Sequence, residues 1–201
     1  MSASWQRVWE RGTNSGMAQN AAIHRVDLNV ADLDRHYYAD HALTIARHAS
    51  ETDERMMVRL LAFGLHAHEQ LTFGRGIGSA DEPDLWQRDL TGRVVLWIDI
   101  GQPDERRVRK ACGQADRVVL YTYGGRTVDP WWARVGPDLA RCGNLTVILL
   151  PLAATGPLAA LAERTMQLQL TVQDGEAWLA GGDSRIAIER EWLMGAPEAR
   201  R

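Results

Sequence analysis

Residues 83–114 read PDLWQRDLTGRVVLWIDIGQPDERRVRKACGQ and contain, in direct succession, a turn, a very apolar run and the start of a helix. The apolar run covers residues 94–98 and is followed at once by the carboxylate of Asp99. Both faces of the run are apolar until Asp99, which is typical of a central strand that is covered on both sides. We therefore predict a central strand here, around which the rest of the sheet forms.

Asp99 and Lys110 are the first candidate pair in this segment. A buried carboxylate is unfavourable unless it is paired or binds a metal, and Lys110 is the only lysine of the chain. Asp99 lies roughly 7 Å before the end of the strand, and Lys110 lies roughly 9 Å along a helix that runs back beside the sheet. The two side chains are therefore expected to come level, either in an active site or as a buried salt bridge. A coding bias against lysine is the alternative explanation for a single lysine.

Asp84 and Glu54 supply two further carboxylates. A turn at residues 90–92 pairs the strand that follows Asp84 with the central strand, and this hairpin is expected to bring Asp84 opposite Asp99. Two convergent carboxylates bind hard cations such as Mg²⁺, which take oxygen ligands and keep several waters. Glu54 lies in the first predicted helix, where it either joins this site or only stabilises the helix dipole.

The remaining pattern predicts an α/β arrangement in which strands and helices alternate through the middle of the chain, with right-handed crossovers. Alternating or continuous apolar runs predict strands at residues 22–30, 37–48, 71–73, 85–88, 118–123, 145–150, 166–173, 176–179 and 185–189. Helical spacing and capping residues predict helices at residues 50–68, capped by Ser50, and at 104–116, 130–142 and 157–164, the last opened by Pro157. The strands at the two ends of the chain are expected to form additional β-hairpins.

Length and composition indicate one ordinary globular domain of 201 residues. A net charge of −3 argues against a strongly basic nucleic-acid-binding surface, although a local basic patch remains compatible with it. No apolar stretch approaches the ~20 residues of a membrane span, and no signal peptide is recognisable, so a cytoplasmic location is expected. Residues 1–17 are predicted to be a flexible extension, and residues 18–195 a single domain.

Other catalytic patterns are weak or absent. The six histidines lack the spacing of a metal motif, and the Gly-x-Ser-x-Gly pattern of serine nucleophiles does not occur. Arg106, Arg107, Arg109 and Arg117 form a basic stretch near Lys110, which is either a solvated helix face or a surface for a phosphate backbone. The carboxylate cluster therefore remains the strongest candidate site.

Five segments of the chain closely resemble the YaeQ family of small bacterial proteins. They are NVADLDR (29–35), LTIARHASETDERMMVRLLAF (43–63), DEPDLW (81–86), LWIDIGQPDERRVRKAC (96–112) and RTMQLQLTVQDGEAWL (164–179). The YaeQ fold is described as a variation of the PD-(D/E)XK nuclease fold. The resemblance therefore implies a restriction-endonuclease-like mixed β-sheet core flanked by helices. It also implies a site that hydrolyses phosphodiester bonds of nucleic acid with Mg²⁺, for which Mn²⁺ can substitute.

The nuclease pattern assigns roles to four residues of this sequence. Glu54 matches the acid of the first helix, Asp84 the PD element and Asp99 the acid of the third motif, so Asp84 and Asp99 are the expected metal ligands. The third-motif lysine, two positions after Asp99, is replaced by Gly101. Only Lys110 can take its role, by migration onto the next helix. Because of this departure, a non-catalytic regulatory protein that binds nucleic acid or protein is the alternative expectation.

Overall fold

The computed structural model describes residues 21–75 and 82–196, which form two mixed β-sheets and four α-helices. The strands are β1 (Ala22–Asp32), β2 (Tyr37–Arg47), β3 (Leu71–Phe73), β4 (Leu85–Arg88), β5 (Val94–Ile100), β6 (Ala115–Thr122), β7 (Leu145–Leu149), β8 (Thr165–Gln173), β9 (Glu176–Gly181), β10 (Ser184–Ala187) and β11 (Glu191–Met194). The helices are α1 (Asp53–Leu65), α2 (Glu105–Gln114), α3 (Val128–Leu139) and α4 (Leu152–Ala160). The predicted mixed α/β class is thereby confirmed. Residues 1–17, predicted to be an extension, lie outside the described residues.

The six-stranded sheet has the order β11-β7-β6-β5-β4-β3. Strands β5, β6 and β7 are parallel, and the other neighbours are antiparallel. Strand β5 lies inside this sheet, and its residues from Leu96 to Ile100 are buried, as the two apolar faces of the sequence predict. Its carboxyl end therefore lies beside the ends of β6 and β7, where α/β sheets commonly bind ligands.

The five-stranded sheet has the order β10-β9-β8-β1-β2. The two predicted hairpins, β1-β2 and β8-β9, both form, but they do not stay separate. Strand β1 pairs in parallel with β8, so the hairpins join into a second sheet that the sequence pattern does not reveal. Val26, Leu28 and Val30 point to the core, while the residues between them are exposed.

The two sheets and the helices form layers. Helices α1 and α4 lie between the sheets, since one apolar cluster contains Leu28 of β1, Leu60 of α1, Ile98 of β5 and Leu158 of α4. A second cluster joins the other face of the six-stranded sheet to α2 and α3. Within the described residues, no helix is long and apolar enough to span a membrane.

Two predicted helix boundaries are wrong. Helix α1 is capped by Thr52, whose hydroxyl accepts the N–H of Arg55 at 3.1 Å, and not by Ser50. Helix α4 begins at Leu152, so Pro157 lies inside it and does not open it. Because Pro157 lies beyond the first turn, it removes one helical hydrogen bond, which its missing N–H would have donated. The strand β11 was not predicted.

Gly74 allows a close approach between two backbone segments next to the site. Its N–H donates to the carbonyl of Asp84 at 2.9 Å, and a Cβ at Gly74 would overlap the carbonyl oxygen of Pro83. Because a backbone atom cannot turn aside, Gly74→Ala is expected to lower the free energy of unfolding by about 1–3 kcal/mol, measured by urea denaturation. In the control, Gly113→Ala, an added Cβ meets nothing within 4 Å. Equal stability of the two variants would contradict the prediction.

Candidate active site

Asp84 and Asp99 come together at the carboxyl end of β5. The antiparallel register pairs Leu85 with Ile98, so that Asp84 follows opposite Asp99, as the predicted hairpin requires. Both residues are buried, at 4% and 3% relative exposure. The negative charge of Asp99 also contributes to raising the pKa of Asp84. Two carboxylates therefore share one buried environment.

The carboxylate of Asp84 is held by Arg55 of α1 and by the backbone of β5. The guanidinium Nη2 of Arg55 donates to both oxygens, at 2.7 and 2.9 Å, and the N–H of Ile100 donates to Oδ2 at 2.8 Å. Burial raises the pKa of Asp84, Arg55 and the Ile100 N–H oppose this rise, and Asp99 adds to it. Desolvation is therefore the dominant influence on Asp84.

The carboxylate of Asp99 is held by Arg107 of α2. Nη2 and Nε of Arg107 donate to the two oxygens of Asp99 at 2.8 and 3.0 Å, which is a bidentate ion pair. The same guanidinium donates to the carbonyl of Glu82 at 2.9 Å. The carboxylate of Asp104 caps α2 by accepting a hydrogen bond from the backbone N–H of Arg107 at 2.8 Å. Arg107 is therefore oriented at both its backbone and its side chain.

The predicted pairing of Asp99 with Lys110 is wrong, since Arg107 of the same helix occupies that place. Lys110 matches Asp99 in height along the helix but not in rotation around it. At about 100° per residue, Lys110 lies about 130° from the middle of the buried face formed by Val108 and Ala111, whereas Arg107 lies about 70° from it. Lys110 is accordingly exposed.

Glu51 extends the ion-pair network and was not identified from the sequence. It is buried, at 2% exposure, although it precedes the helix. Its Oε1 accepts from Arg55 at 3.0 Å, and its Oε2 accepts from Arg59 at 3.0 Å. The spacing of four residues between Glu51, Arg55 and Arg59 was the signal available in the sequence, because residues four apart are neighbours on a helix.

The network is electrically balanced. It contains three carboxylates and three guanidiniums, contributed by Glu51, Asp84, Asp99, Arg55, Arg59 and Arg107. Arg55 is the bridge, since it contacts both Glu51 and Asp84. Its side chain is 18% exposed and that of Arg107 is 28% exposed, so both guanidiniums reach the surface of the site.

Glu54 adds a carboxylate that the network does not neutralise. Its Oε1 is buried and has no hydrogen-bond partner among the described residues. Burial raises the pKa of Tyr123 to about 12, Arg55 opposes the rise, and the negative charge of Glu54 contributes to it. Glu54 therefore lies close to Tyr123 and Arg55, on the side of the site formed by the start of α1.

The donor atoms fit a hard cation in their chemistry. Mg²⁺ is commonly bound by one or two carboxylates, with waters and substrate phosphates completing the shell. Oε1 of Glu54 is a further buried oxygen, without a hydrogen-bond partner among the described residues. In the described part of the chain, no group of three or more His, Cys, Asp or Glu side chains is close enough to hold a metal. Asp84 and Asp99 would therefore be the protein ligands, and the two guanidiniums bound to them compete with the cation.

Sequence comparisons identify relatives over most of the chain. A family model described as YaeQ protein matches residues 17–190. The chain is 46% identical over 173 residues to the uncharacterized protein YaeQ of Salmonella typhi, covering 86% of this chain and 96% of that protein. It is 45% identical over 172 residues to the uncharacterized protein YaeQ of Escherichia coli (strain K12), covering 86% and 95%.

Solved structures agree with this match. The crystal structure of YaeQ protein from Xanthomonas axonopodis pv. citri has 46% sequence identity and a TM-score of 0.84, covering 88% of this chain and 100% of that one. The crystal structure of YaeQ protein from Pseudomonas syringae has 36% identity and a TM-score of 0.85, covering 89% and 99%. Sequence and fold thus lead to the same assignment, and the chain belongs to the YaeQ family.

Proposed function

We propose that the protein is a magnesium-dependent phosphodiesterase that acts on nucleic acid and is built on a restriction-endonuclease-like core. The observation that carries this proposal is the pair of buried carboxylates, Asp84 and Asp99, at the carboxyl end of the central strand. Burial raises the pKa of Asp84, and a carboxyl group with a perturbed pKa beside a second buried carboxylate is a candidate for a functional site. The unpartnered oxygen of Glu54 supports the same interpretation.

Each residue of the proposed active site has a role that follows from its chemistry. Asp84 and Asp99 would hold the cation, which would supply Lewis-acid polarisation of a phosphate and lower the pKa of a water. Glu54, with one buried oxygen free, accepts a proton from the attacking water. Arg55 and Arg107 present planar guanidiniums, which match phosphate oxygens as well as carboxylates. Arg107 thus takes the position beside Asp99 that was expected for Lys110, and Lys110 contributes a cation on the exposed face of α2.

A second candidate function is a non-catalytic binding protein that retains the fold and not the chemistry. The specific observation in its favour is that three guanidiniums already balance three carboxylates, and that the oxygens of both aspartates accept from arginine. In this case the ion pairs orient α1 and α2 around β5, and the partner is a nucleic acid or a protein that contacts the exposed basic residues of α2.

A calorimetric titration with Mn²⁺ and Mg²⁺ distinguishes the two candidates. Asp99→Asn keeps the shape of the side chain and removes its charge, and Asp116→Asn is the matched control, because Asp116 forms an exposed ion pair with Arg93. If the protein is a phosphodiesterase, the wild type and the control should bind the metal saturably. Asp99→Asn should bind it with an affinity at least about tenfold weaker. Circular dichroism checks that each variant is folded.

The next step depends on the titration. If the wild type binds the metal, DNA and RNA substrates are screened for cleavage, which Asp99→Asn should abolish. If the wild type binds neither cation at low millimolar concentration, the proposed phosphodiesterase activity is overturned, and the non-catalytic binding function is retained.

A further inference from the structure

Strand β2 is a long, open edge of the five-stranded sheet. It comprises 11 residues, Tyr37–Arg47, and pairs only with β1 within the described part of the chain. Proteins usually protect such edges with lysine, proline, bulges or short strands. The sequence of β2, YYADHALTIAR, contains no lysine, proline or glycine, and its pairing with β1 runs through all 11 residues without a bulge. Asp40 and Arg47 are the only Asp, Glu, Lys or Arg residues of β2, so among the described strands this edge is a weakly protected template for another strand.

The hydrogen-bonding direction shows which residues of β2 face outward. The N–H of Arg25 donates to the carbonyl of Arg164 and that of Leu33 to Val172, so the odd-numbered residues of β1 bond toward β8. The even-numbered residues of β1 therefore bond toward β2, and the register pairs them with odd-numbered residues there. The even-numbered residues of β2 present their N–H and C=O groups outward. Consistent with this, the carbonyl of Ala46 accepts a hydrogen bond from the side chain of Arg59.

We propose that two copies of this chain associate by antiparallel pairing of their β2 strands, with the two-fold axis at Ala42. The outward-facing residues Asp40, Ala42 and Thr44 supply the hydrogen bonds, and the two five-stranded sheets become one continuous sheet. Association through open sheet edges is a general mode of β-sheet recognition, and a two-fold axis is the commonest symmetry of soluble oligomers.

The strand is self-complementary in this register. Only even-numbered residues have outward hydrogen-bonding groups, so each must lie opposite another even-numbered residue. An axis at Ala42 satisfies this from Asp40 to Thr44, whereas the outward carbonyl of Ala46 already accepts from Arg59. Asp40 then lies opposite Thr44, and Tyr38, which is 62% exposed, covers the small side chain of Ala46. No like charges face each other, whereas an axis at Asp40 would place two carboxylates in direct opposition and pair fewer residues.

A charge at the two-fold axis tests both the surface and the register. Sedimentation velocity is expected to show that the wild type forms a species of twice its 22.5 kDa mass as concentration rises. In Ala42→Lys two like charges oppose each other at the axis, which should weaken the dimer by about tenfold or more. Mixing Ala42→Lys with Ala42→Glu should restore a dimer of the two variants. The control is Ala187→Lys, an exposed alanine on the opposite edge strand β10, and should dimerise like the wild type.

A second variant removes the hydrogen bond without adding charge. Ala42→Pro deletes an outward N–H and leaves the bonds between β2 and β1 in place, since proline is accepted on edge strands. It should be folded by circular dichroism and monomeric. A wild type that stays monomeric at about 1 mM overturns the proposal, as does a dimer that neither Ala42→Pro nor Ala42→Lys weakens. These readouts do not depend on metal binding, so they are independent of the proposed phosphodiesterase.

Discussion

Replacing Arg55 with alanine is expected to lower the free energy of unfolding by about 3–5 kcal/mol. Arg55 contacts two buried carboxylates, donating to Glu51 at 3.0 Å and to both oxygens of Asp84 at 2.7 and 2.9 Å. Without it, Asp84 keeps only the Ile100 N–H, and Glu51 keeps Arg59. A buried charge that loses its partner is strongly destabilising. Guanidinium denaturation of wild type and variant, with comparison of slopes as well as midpoints, measures the effect.

Arg109 provides the matched control. It forms an ion pair with Glu105 across one turn of α2, but the side chains are 58% and 34% exposed. Solvent screens exposed pairs of this kind, and they contribute little to stability, so Arg109→Ala should change the free energy of unfolding little. If Arg55→Ala destabilised the protein no more than Arg109→Ala, the buried network would not contribute to holding α1 against the central strand.

Acidification from pH 6.5 to 4.5 is expected to lower the free energy of unfolding through His66 by at most about 2–3 kcal/mol, because the residue is only partly buried. Burial lowers the pKa of His66 from 6.5 to about 3, and the positive charges of Arg117, Arg35 and Arg190 contribute. Between these two pKa values, His66 is therefore protonated in the unfolded chain and neutral in the folded chain. The stabilising contribution is complete above pH 6.5 and is lost as the pH falls toward about 3, at about 1.4 kcal/mol per pH unit.

A glutamine at position 66 tests this assignment, because it can still hydrogen-bond to the hydroxyl of Tyr121, 2.9 Å from Nε2 of His66 in the wild type. The free energy of unfolding is measured at intervals between pH 7 and 4.5. Its dependence on pH should be weaker for His66→Gln than for the wild type, by the amount that corresponds to the uptake of one proton. His68→Gln, which changes an exposed histidine two residues away, should retain the wild-type slope. A wild-type slope in His66→Gln would show that another group is responsible.

The sequence predicts the contacts of the site that form between neighbouring segments of the chain. It does not predict the contacts that depend on how the helices pack on the sheet. The hairpin that brings Asp84 opposite Asp99 follows from one short turn and one apolar run, both contained in residues 83–114. The cation beside Asp99 was predicted on the correct helix, but as Lys110 and not Arg107, because the rotation of α2 depends on which face packs on the sheet. Arg55 reaches Asp84 only after α1 is placed, 29 residues away in sequence.

The same distinction applies to the fold. Strands that pair with a sequence neighbour were recognised, since their turns are visible between them. The joining of β1 to β8 was missed, because their pairing leaves no local trace in either segment. Strand β11 was also missed, since it is short and irregular and is defined by the edge of β7, which it covers.

The parallel pairing of β1 with β8 has a consequence for the order in which the protein assembles. Arg25 pairs with Thr165, so nearly the whole chain must be synthesised before this contact exists. Strands β3 to β7 and helices α1 to α3 are complete much earlier and mostly contact sequence neighbours, which favours their forming first. Until then, the backbone edge of β1 that pairs with β8 has no partner strand. Closure of the five-stranded sheet is therefore expected to be a late step of folding, and the unpaired edge of β1 is the part of the hairpin most exposed to aggregation.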